Sequence, residues 1–241
     1  MPRLLVVRSS FDIATKYLSS YAAKIVEQAP QWNVEVIDLY GADATLQNFE
    51  AKISDCDLFF GFGHANKDVF TGQNLEVILK ASVNADELTN KKAYIAGCQA
   101  GVTLGPAAVK AGCPEFYSYQ SDFTFVYDPT AYNNNDVLND VYAQAFFDSA
   151  LTTGYAILAG KTPKEVFDDT INRYDYWYDY WKKQNDPLAD DVMTWLNWDR
   201  QGFIAITPNG LYTEPKTPSL LTAGIILPLG AAALLLLLSR E

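Results

Sequence analysis

Histidine and cysteine are scarce in this 241-residue sequence, which contains one histidine and three cysteines. A single histidine excludes metal sites built from imidazole clusters and every mechanism that needs two histidines. Cys56, Cys98 and Cys113 are odd in number and show no paired spacing, so the sequence predicts neither a disulfide framework nor a zinc site. Any histidine chemistry must therefore use His64, and at least one thiol is free.

Positive charge is also in short supply. The chain has 29 acidic residues against 18 basic ones, and its formal net charge is −11. Such a surface repels nucleic-acid phosphates at long range, so we do not expect nucleic acid as a partner. An acidic surface suits a basic or neutral peptide substrate, although a solvated acidic face that keeps the protein soluble is the commoner explanation.

Long apolar runs are missing from the N-terminal end of the sequence. The run Leu4 to Val7 lies between Arg3 and Arg8 and is too short for the hydrophobic region of a secretory signal. We interpret it as the first strand of the fold.

One long apolar run is present near the C-terminus. Leu220 to Leu238 is a 19-residue stretch without a charged residue, and as a helix it matches a hydrocarbon core of about 30 Å. We predict a single-pass transmembrane anchor at 220–238, a linker at 213–219 and one soluble domain at 1–212. A hydrophobic core helix is the alternative, and a tail anchor without a signal favours the cytoplasmic side for the domain.

Short β-rich runs alternate with helical patterns over the first two-thirds of the chain, which indicates βαβ units and a largely parallel sheet. The predicted strands are Leu4 to Val7, Val34 to Leu39, Leu58 to Phe62, Ala93 to Ala96, Glu115 to Tyr119 and Gly202 to Ile206. The predicted helices are Ile13 to Glu27, Ala44 to Ile53, Asn74 to Ala81, Ala107 to Lys110, Asp136 to Ala159 and about 163–183.

His64 and Cys98 each follow one of the predicted apolar strands. In an open α/β sheet, functional groups collect beyond the carboxyl ends of the strands. If these two strands are neighbours, about 4.8 Å apart, both side chains emerge at one edge of the sheet. An imidazole beside a thiol can accept its proton and later protonate a leaving amine, so the pair predicts a nucleophilic Cys98 and an acid–base His64. The glycines at 97 and 101 leave room for a substrate backbone to approach Cys98.

The stretches GFGHA at 61–65 and YIAGCQAG at 94–101 resemble the caspase-like (clan CD) cysteine peptidases, and the layout is closest to the gingipain-like family. The resemblance implies a three-layer α/β sandwich around a mostly parallel six-stranded sheet, in addition to the C-terminal membrane helix. It implies His64 and Cys98 as catalytic residues, the Cys98 and Ala65 backbone amides as the oxyanion hole, and no cofactor or metal. Ala65 stands where the family usually has glycine, which keeps the amide but restricts its conformation.

The resemblance also implies the function that we expect, a membrane-anchored cysteine endopeptidase that acts on peptides or proteins through a thioester. A catalytically inactive module that binds protein partners at the membrane is the alternative, because a fold alone does not determine function. In a third interpretation, Ser9 and Ser10 present amides to a phosphate as in a flavodoxin-like protein, although the usual glycines are absent.

Two other features predict structural roles. Cys56 and Cys113 do not sit at a strand's carboxyl end beside glycine, so we interpret them as core residues. The aromatic run at 174–181 places Tyr174, Trp177, Tyr178 and Trp181 on one helical stripe, for which packing in the core is the first interpretation. A belt at a membrane interface is the second.

Overall fold

Residues 1–214 and 236–237 are the part of the chain that the computed structural model describes. Within 1–214, the strands are β1 (Arg3–Arg8), β2 (Glu35–Tyr40), β3 (Leu58–Phe62), β4 (Val69–Thr71), β5 (Val77–Lys80), β6 (Lys92–Ala96), β7 (Phe116–Tyr119), β8 (Thr124–Phe125), β9 (Phe203–Thr207) and β10 (Gly210–Thr213). The α-helices are α1 (Ile13–Gln28), α2 (Leu46–Ile53), α3 (Leu104–Lys110), α4 (Pro129–Asn133), α5 (Val141–Leu158), α6 (Pro163–Trp181) and α7 (Ala189–Gly202).

Seven of these strands form one sheet in the order β10-β9-β7-β6-β3-β1-β2. The five strands from β7 to β2 in that order are parallel, whereas β9 and β10 are antiparallel to their neighbours. The prediction of an α/β fold around a mostly parallel sheet is confirmed, and all six predicted strands belong to this sheet. The antiparallel edge strand β10 is a seventh strand that the sequence pattern did not predict.

The central strands are buried on both faces, which explains their nearly continuous apolar sequences. In β1, Leu4 and Val6 join a core that includes residues of α1, α5 and α6, while Leu5 and Val7 join a second core with residues of α2 and α3. Helices therefore cover both faces of the sheet, and the parallel strands direct their carboxyl ends to one common edge.

The predicted helix at Asn74 to Ala81 is wrong. Strand β5 lies there and pairs with β4 in an antiparallel hairpin, after a 3₁₀ turn at Gln73–Leu75. Asn74 and Leu75 have φ values of +52° and +66°, which a right-handed helix does not accommodate. The hairpin packs beside the carboxyl edge of the sheet, and the site described below depends on it.

The C-terminal half of the domain contains a further departure from the predictions. Helix α7 was not predicted, although Asp190 and Asp191 in its first turn are favourable near a helix N-terminus. In α6, Tyr174 and Trp181 are buried as predicted, but Tyr178 is 37% exposed, so its assignment to the core was wrong.

The predicted anchor at Leu220 to Leu238 lies outside the described residues, except for Leu236–Leu237, which form a two-residue strand antiparallel to β8. Among the helices of the described residues, none has both the length and the apolar character needed to cross a bilayer.

Candidate active site

Three adjacent strands carry the candidate catalytic residues beyond their carboxyl ends. Asp12 follows β1, His64 follows β3 and Cys98 follows β6, and β3 lies between the other two strands. The register pairs Phe62 with Ala96, so His64 and Cys98 each lie two residues past a paired position. The prediction that their strands are neighbours is confirmed.

Asp12 and His64 form the closest polar contact at this edge. The Nε2 atom of His64 lies 2.7 Å from Oδ2 of Asp12, and the histidine is only 5% exposed. The second carboxylate oxygen, Oδ1, accepts hydrogen bonds from the amide and the hydroxyl of Thr15 and so caps the N-terminus of α1. One side chain thus fixes both the start of a helix and the orientation of the imidazole.

The Asp12 carboxyl remains ionised at neutral pH. Burial by itself raises its pKa, but hydrogen bonds from His64 and from the Thr15 amide outweigh burial, and the pKa falls to about 2. The ionised Asp12 carboxylate can only accept a hydrogen bond, so it favours the His64 tautomer with the proton on Nε2. The same anion stabilises the imidazolium that forms during acid–base catalysis.

Asp12 is the site residue that sequence reasoning missed. Its sequence signal was weak but present, because it follows the first predicted strand and precedes Thr15 at the spacing of a capping box. An aspartate at a helix start is normally explained by capping alone, so the strand order was needed to place it beside His64.

The β4–β5 hairpin braces the loops that carry Asp12 and His64. The carbonyl oxygen of His64 accepts hydrogen bonds from the amide of Thr71 at 2.9 Å and from its hydroxyl at 3.0 Å. Gln73, in the turn of the hairpin, accepts a hydrogen bond from the Ser10 amide at 2.9 Å and donates one to the Ser10 carbonyl at 3.3 Å. Both loops are therefore held by bonds to their backbone.

These contacts bear on the flavodoxin-like interpretation. The Ser9 amide donates to the Phe62 carbonyl, and the Ser10 amide donates to Gln73. Both amides are therefore engaged by protein groups, and the helix that follows is capped by the carboxylate of Asp12. An anion already occupies the position where a phosphate would have to bind.

Cys98 is buried beside the site. Its side chain is 0% exposed, and Sγ lies 3.9 Å from the carbonyl oxygen of Phe123. Burial raises the pKa of the thiol well above its usual range, and the negative charge of Asp122 raises it further. Among the described residues, no hydrogen bond joins Sγ to His64. The structure thus brings Asp12 and His64 into contact and places Cys98 at the next strand end.

The glycines around Cys98 allow close approach within the protein itself. A Cβ atom on Gly97 would lie 2.8 Å from the carbonyl oxygen of Gly63 and 2.9 Å from Cβ of Ala65. At Gly101 it would lie 2.5 Å from the side chain of Ile204. The expectation that these glycines leave space for a substrate was therefore wrong, because protein atoms occupy that space.

The two predicted oxyanion donors lie on facing loops. Ala65 forms an isolated antiparallel bridge with Phe70. The two hydrogen bonds of this bridge join the residues that flank Ala65 in the chain to the residues that flank Phe70. Within the described part of the chain, the amides of Ala65 and Cys98 donate no hydrogen bond.

Cys56 and Cys113 occupy core positions away from this edge. The Cys113 sulfur lies 3.1 Å from the Lys91 carbonyl oxygen and 3.2 Å from that of Glu115. Burial raises the pKa of Cys56 to about 11, and both residues precede a strand of the sheet, at the edge opposite the candidate site.

No family model matches this sequence, and the search of curated proteins found no match either.

Proposed function

We propose that this chain is a cysteine endopeptidase in which Cys98 attacks a peptide carbonyl, His64 transfers the proton and Asp12 orients His64. The observation that carries the proposal is the 2.7 Å contact between Asp12 and His64 at the strand edge where Cys98 also emerges. Acyl transfer requires a nucleophile, a base and a carboxylate that orients the base. Three strands that are adjacent in the sheet carry these groups.

The reaction follows from these roles. His64 accepts the thiol proton as Sγ bonds to the carbonyl carbon, and the amides of Cys98 and Ala65 stabilise the oxyanion. The C–N bond breaks as His64 returns the proton to the leaving amine, which yields a thioester on Cys98. A water molecule, deprotonated by His64, attacks the thioester, releases the carboxylic acid and restores the thiol.

The resting environment of Cys98 sets a condition on this mechanism. Because burial keeps the thiol protonated, thiolate formation has to accompany substrate binding. The imidazole held by Asp12 is the base for that step, since the carboxylate stabilises the imidazolium that results. From the apolar run at 220–238, the proposal includes attachment to a membrane with the domain on the cytoplasmic side, an arrangement in which Leu236–Leu237 no longer pair with β8.

A second function is favoured by one observation, the complete burial of Cys98. A thiol that stays buried and protonated suits a catalytically inactive module that binds protein partners at the membrane. The two functions differ in whether Cys98 and His64 matter to the rate of any reaction.

The experiment is cleavage of a mixed peptide library by the full chain in detergent micelles, with Cys98→Ala and His64→Ala as variants. Cys56→Ala is the matched control, because it removes a cysteine from the core away from the site. The proposal predicts loss of cleavage by about 10³-fold or more in both site variants and retention in the control. A folded parent without cleavage would favour the binding module.

A further inference from the structure

Three aromatic side chains of α6, Tyr176, Trp177 and Tyr180, form one continuous aromatic surface. Tyr176 is 54% exposed and Tyr180 is 43% exposed. Trp177 lies between them, with its ring centroid 5.4 Å from that of Tyr176 and 5.3 Å from that of Tyr180. Residues four apart on a helix lie on the same side, so the two tyrosines face away from the buried Tyr174. They belong neither to the core nor to the candidate active site, and exposed apolar area of this kind marks a contact surface.

The aromatic surface is fixed by polar contacts with α5. The indole N–H of Trp177 donates to Oδ2 of Asp148 at 2.7 Å. The guanidinium of Arg173 pairs with the same carboxylate oxygen and lies 5.0 Å from the ring centroid of Tyr176. Side chains that are already ordered lose little conformational freedom when they meet a partner, so the surface is preorganised for contact.

The charge around the aromatic surface differs from that of the chain as a whole. Residues 173–183 contain three basic side chains and two acidic ones, whereas the whole chain carries a net charge of −11. Lys182 and Lys183 are exposed just after α6 ends, and within residues 1–214 neither forms an ion pair. An acidic protein can therefore approach phosphate groups here with little repulsion.

Glu214, which precedes the apolar run in the chain, lies beside the aromatic surface. Arg200 pairs with Asp175 at 2.7 Å and with Glu214 at 3.1 Å, and Asp175 is the residue next to Tyr176 in α6. Glu214 is therefore about one helix diameter, ~10 Å, from the aromatic surface. The apolar run begins six residues later, at Leu220, and six extended residues span at most about 20 Å. A bilayer that the run enters would lie close to the aromatic surface.

We propose that the aromatic surface lies in the headgroup layer of the bilayer that residues 220–238 enter, with Lys182 and Lys183 against lipid phosphates. The inference rests on the membrane attachment in the proposed function and adds the surface through which the folded domain contacts lipid. Tyrosine and tryptophan favour this layer because each combines an apolar ring with a polar group. Lysine side chains cover apolar area while their ammonium groups reach the phosphates. The domain then stands in one orientation on the bilayer.

The first test locates a fluorophore relative to the bilayer. The full chain with Cys98→Ala carries a nitrobenzoxadiazole label at Tyr180→Cys or, as the control, at Val83→Cys. Val83 is 70% exposed in the turn after β5, a strand whose buried residues belong to the core on the other face of the sheet. The chain is added to preformed phosphatidylcholine vesicles, and the fraction that floats with them is measured. In the floated chain, we expect lipid with a nitroxide in its headgroup layer to quench the label at Tyr180→Cys at least about fivefold more than the label at Val83→Cys, and aqueous iodide to show the reverse order.

The possible outcomes separate the lipid contact from the membrane anchor. Equal quenching at the two positions in the floated chain overturns the lipid contact and leaves the anchor in place. Protection of the label at Tyr180→Cys from iodide, without quenching by the nitroxide lipid, also overturns it, because a second copy of the chain then covers the surface. A chain that does not float rejects membrane attachment and this inference with it, while peptide cleavage is measured independently.

A second test needs no label. Brominated phosphatidylcholine quenches tryptophan fluorescence at the bilayer surface, and residues 220–238 contain no tryptophan, so quenching reports on the domain. Trp177→Phe is compared with Trp32→Phe, because Trp32 is partly buried in the turn before β2, where it stacks on Tyr155. We expect Trp177→Phe to lower the quenched fraction about twofold or more and Trp32→Phe to leave it unchanged. A quenched fraction that Trp177→Phe does not lower would overturn the placement of the aromatic surface.

Discussion

The Asp12 carboxylate joins His64 Nε2 at 2.7 Å while it caps the first turn of α1. The position of the imidazole is thus tied to the start of a 16-residue helix whose inner face is buried in the core. Because the two carboxylate oxygens serve the two tasks separately, substitutions can remove one task and keep the other.

Asp12→Asn should uncouple them. Asparagine caps helices about as well as aspartate, so we expect the variant to fold, although its free energy of unfolding at neutral pH should fall by about 2 kcal/mol because the ionic contact with His64 is lost. The uncharged amide no longer stabilises the imidazolium, so kcat/KM for peptide cleavage should fall by about 10² to 10⁴. Asp128→Asn, at the N-cap of α4, is the control that should retain activity. Equal activity of Asp12→Asn and the parent would remove Asp12 from the mechanism.

The same carboxylate should contribute to acid stability. The pKa of Asp12 falls from the ordinary 3.8 to about 2 in the folded protein, so the ionised form stabilises the fold above pH 3.8. That contribution, about 2 kcal/mol, should be lost as the pH falls from about 4 to about 2. Urea unfolding at several pH values measures it, since Asp12→Asn should flatten the pH dependence in this window. A parent and variant with parallel curves would contradict the assignment.

Gln73 should act as a positioning residue. From the β4–β5 hairpin, its side chain forms hydrogen bonds with both the amide and the carbonyl of Ser10. Ser10 lies two residues before Asp12 in the chain. Gln73→Ala removes both hydrogen bonds, so we expect kcat to fall about tenfold with little change in KM, because an imidazole displaced by a fraction of an ångström is a poorer base. Gln47→Ala, on the exposed surface of α2, is the matched control. A fall in KM alone or no change would show that the hairpin does not position the pair.

The sequence predicted the sheet better than the site. Apolar runs before His64 and Cys98 were sufficient to predict neighbouring strands, because buried parallel strands have a plain pattern. The hairpin was missed because Leu75, Ile78 and Leu79 have helical spacing, while the positive φ at Leu75 depends on the turn around it. The environment of Cys98 could not be predicted either, since Asp122 is 24 residues away and reaches it only through the fold.

Asp199 should make stability fall as the pH rises. It is completely buried, and burial raises its pKa well above the ordinary 3.8, with the charge of Asp122 adding to the effect. The folded protein therefore retains a proton that the unfolded chain loses, so the full stability is present below pH 3.8 and declines as the pH rises above that value. Asp199→Asn keeps the acceptor for the Thr124 amide and removes the ionisable group. We expect the variant to be more stable than the parent by about 1 to 3 kcal/mol at pH 8, and by much less at pH 4.5.

Urea unfolding at the two pH values measures this, with the exposed Asp179→Asn as the control that should shift neither curve. The same difference at both pH values would mean that Asp199 is ionised in the folded protein, and the unpaired Oδ2 would then need a cation already in place.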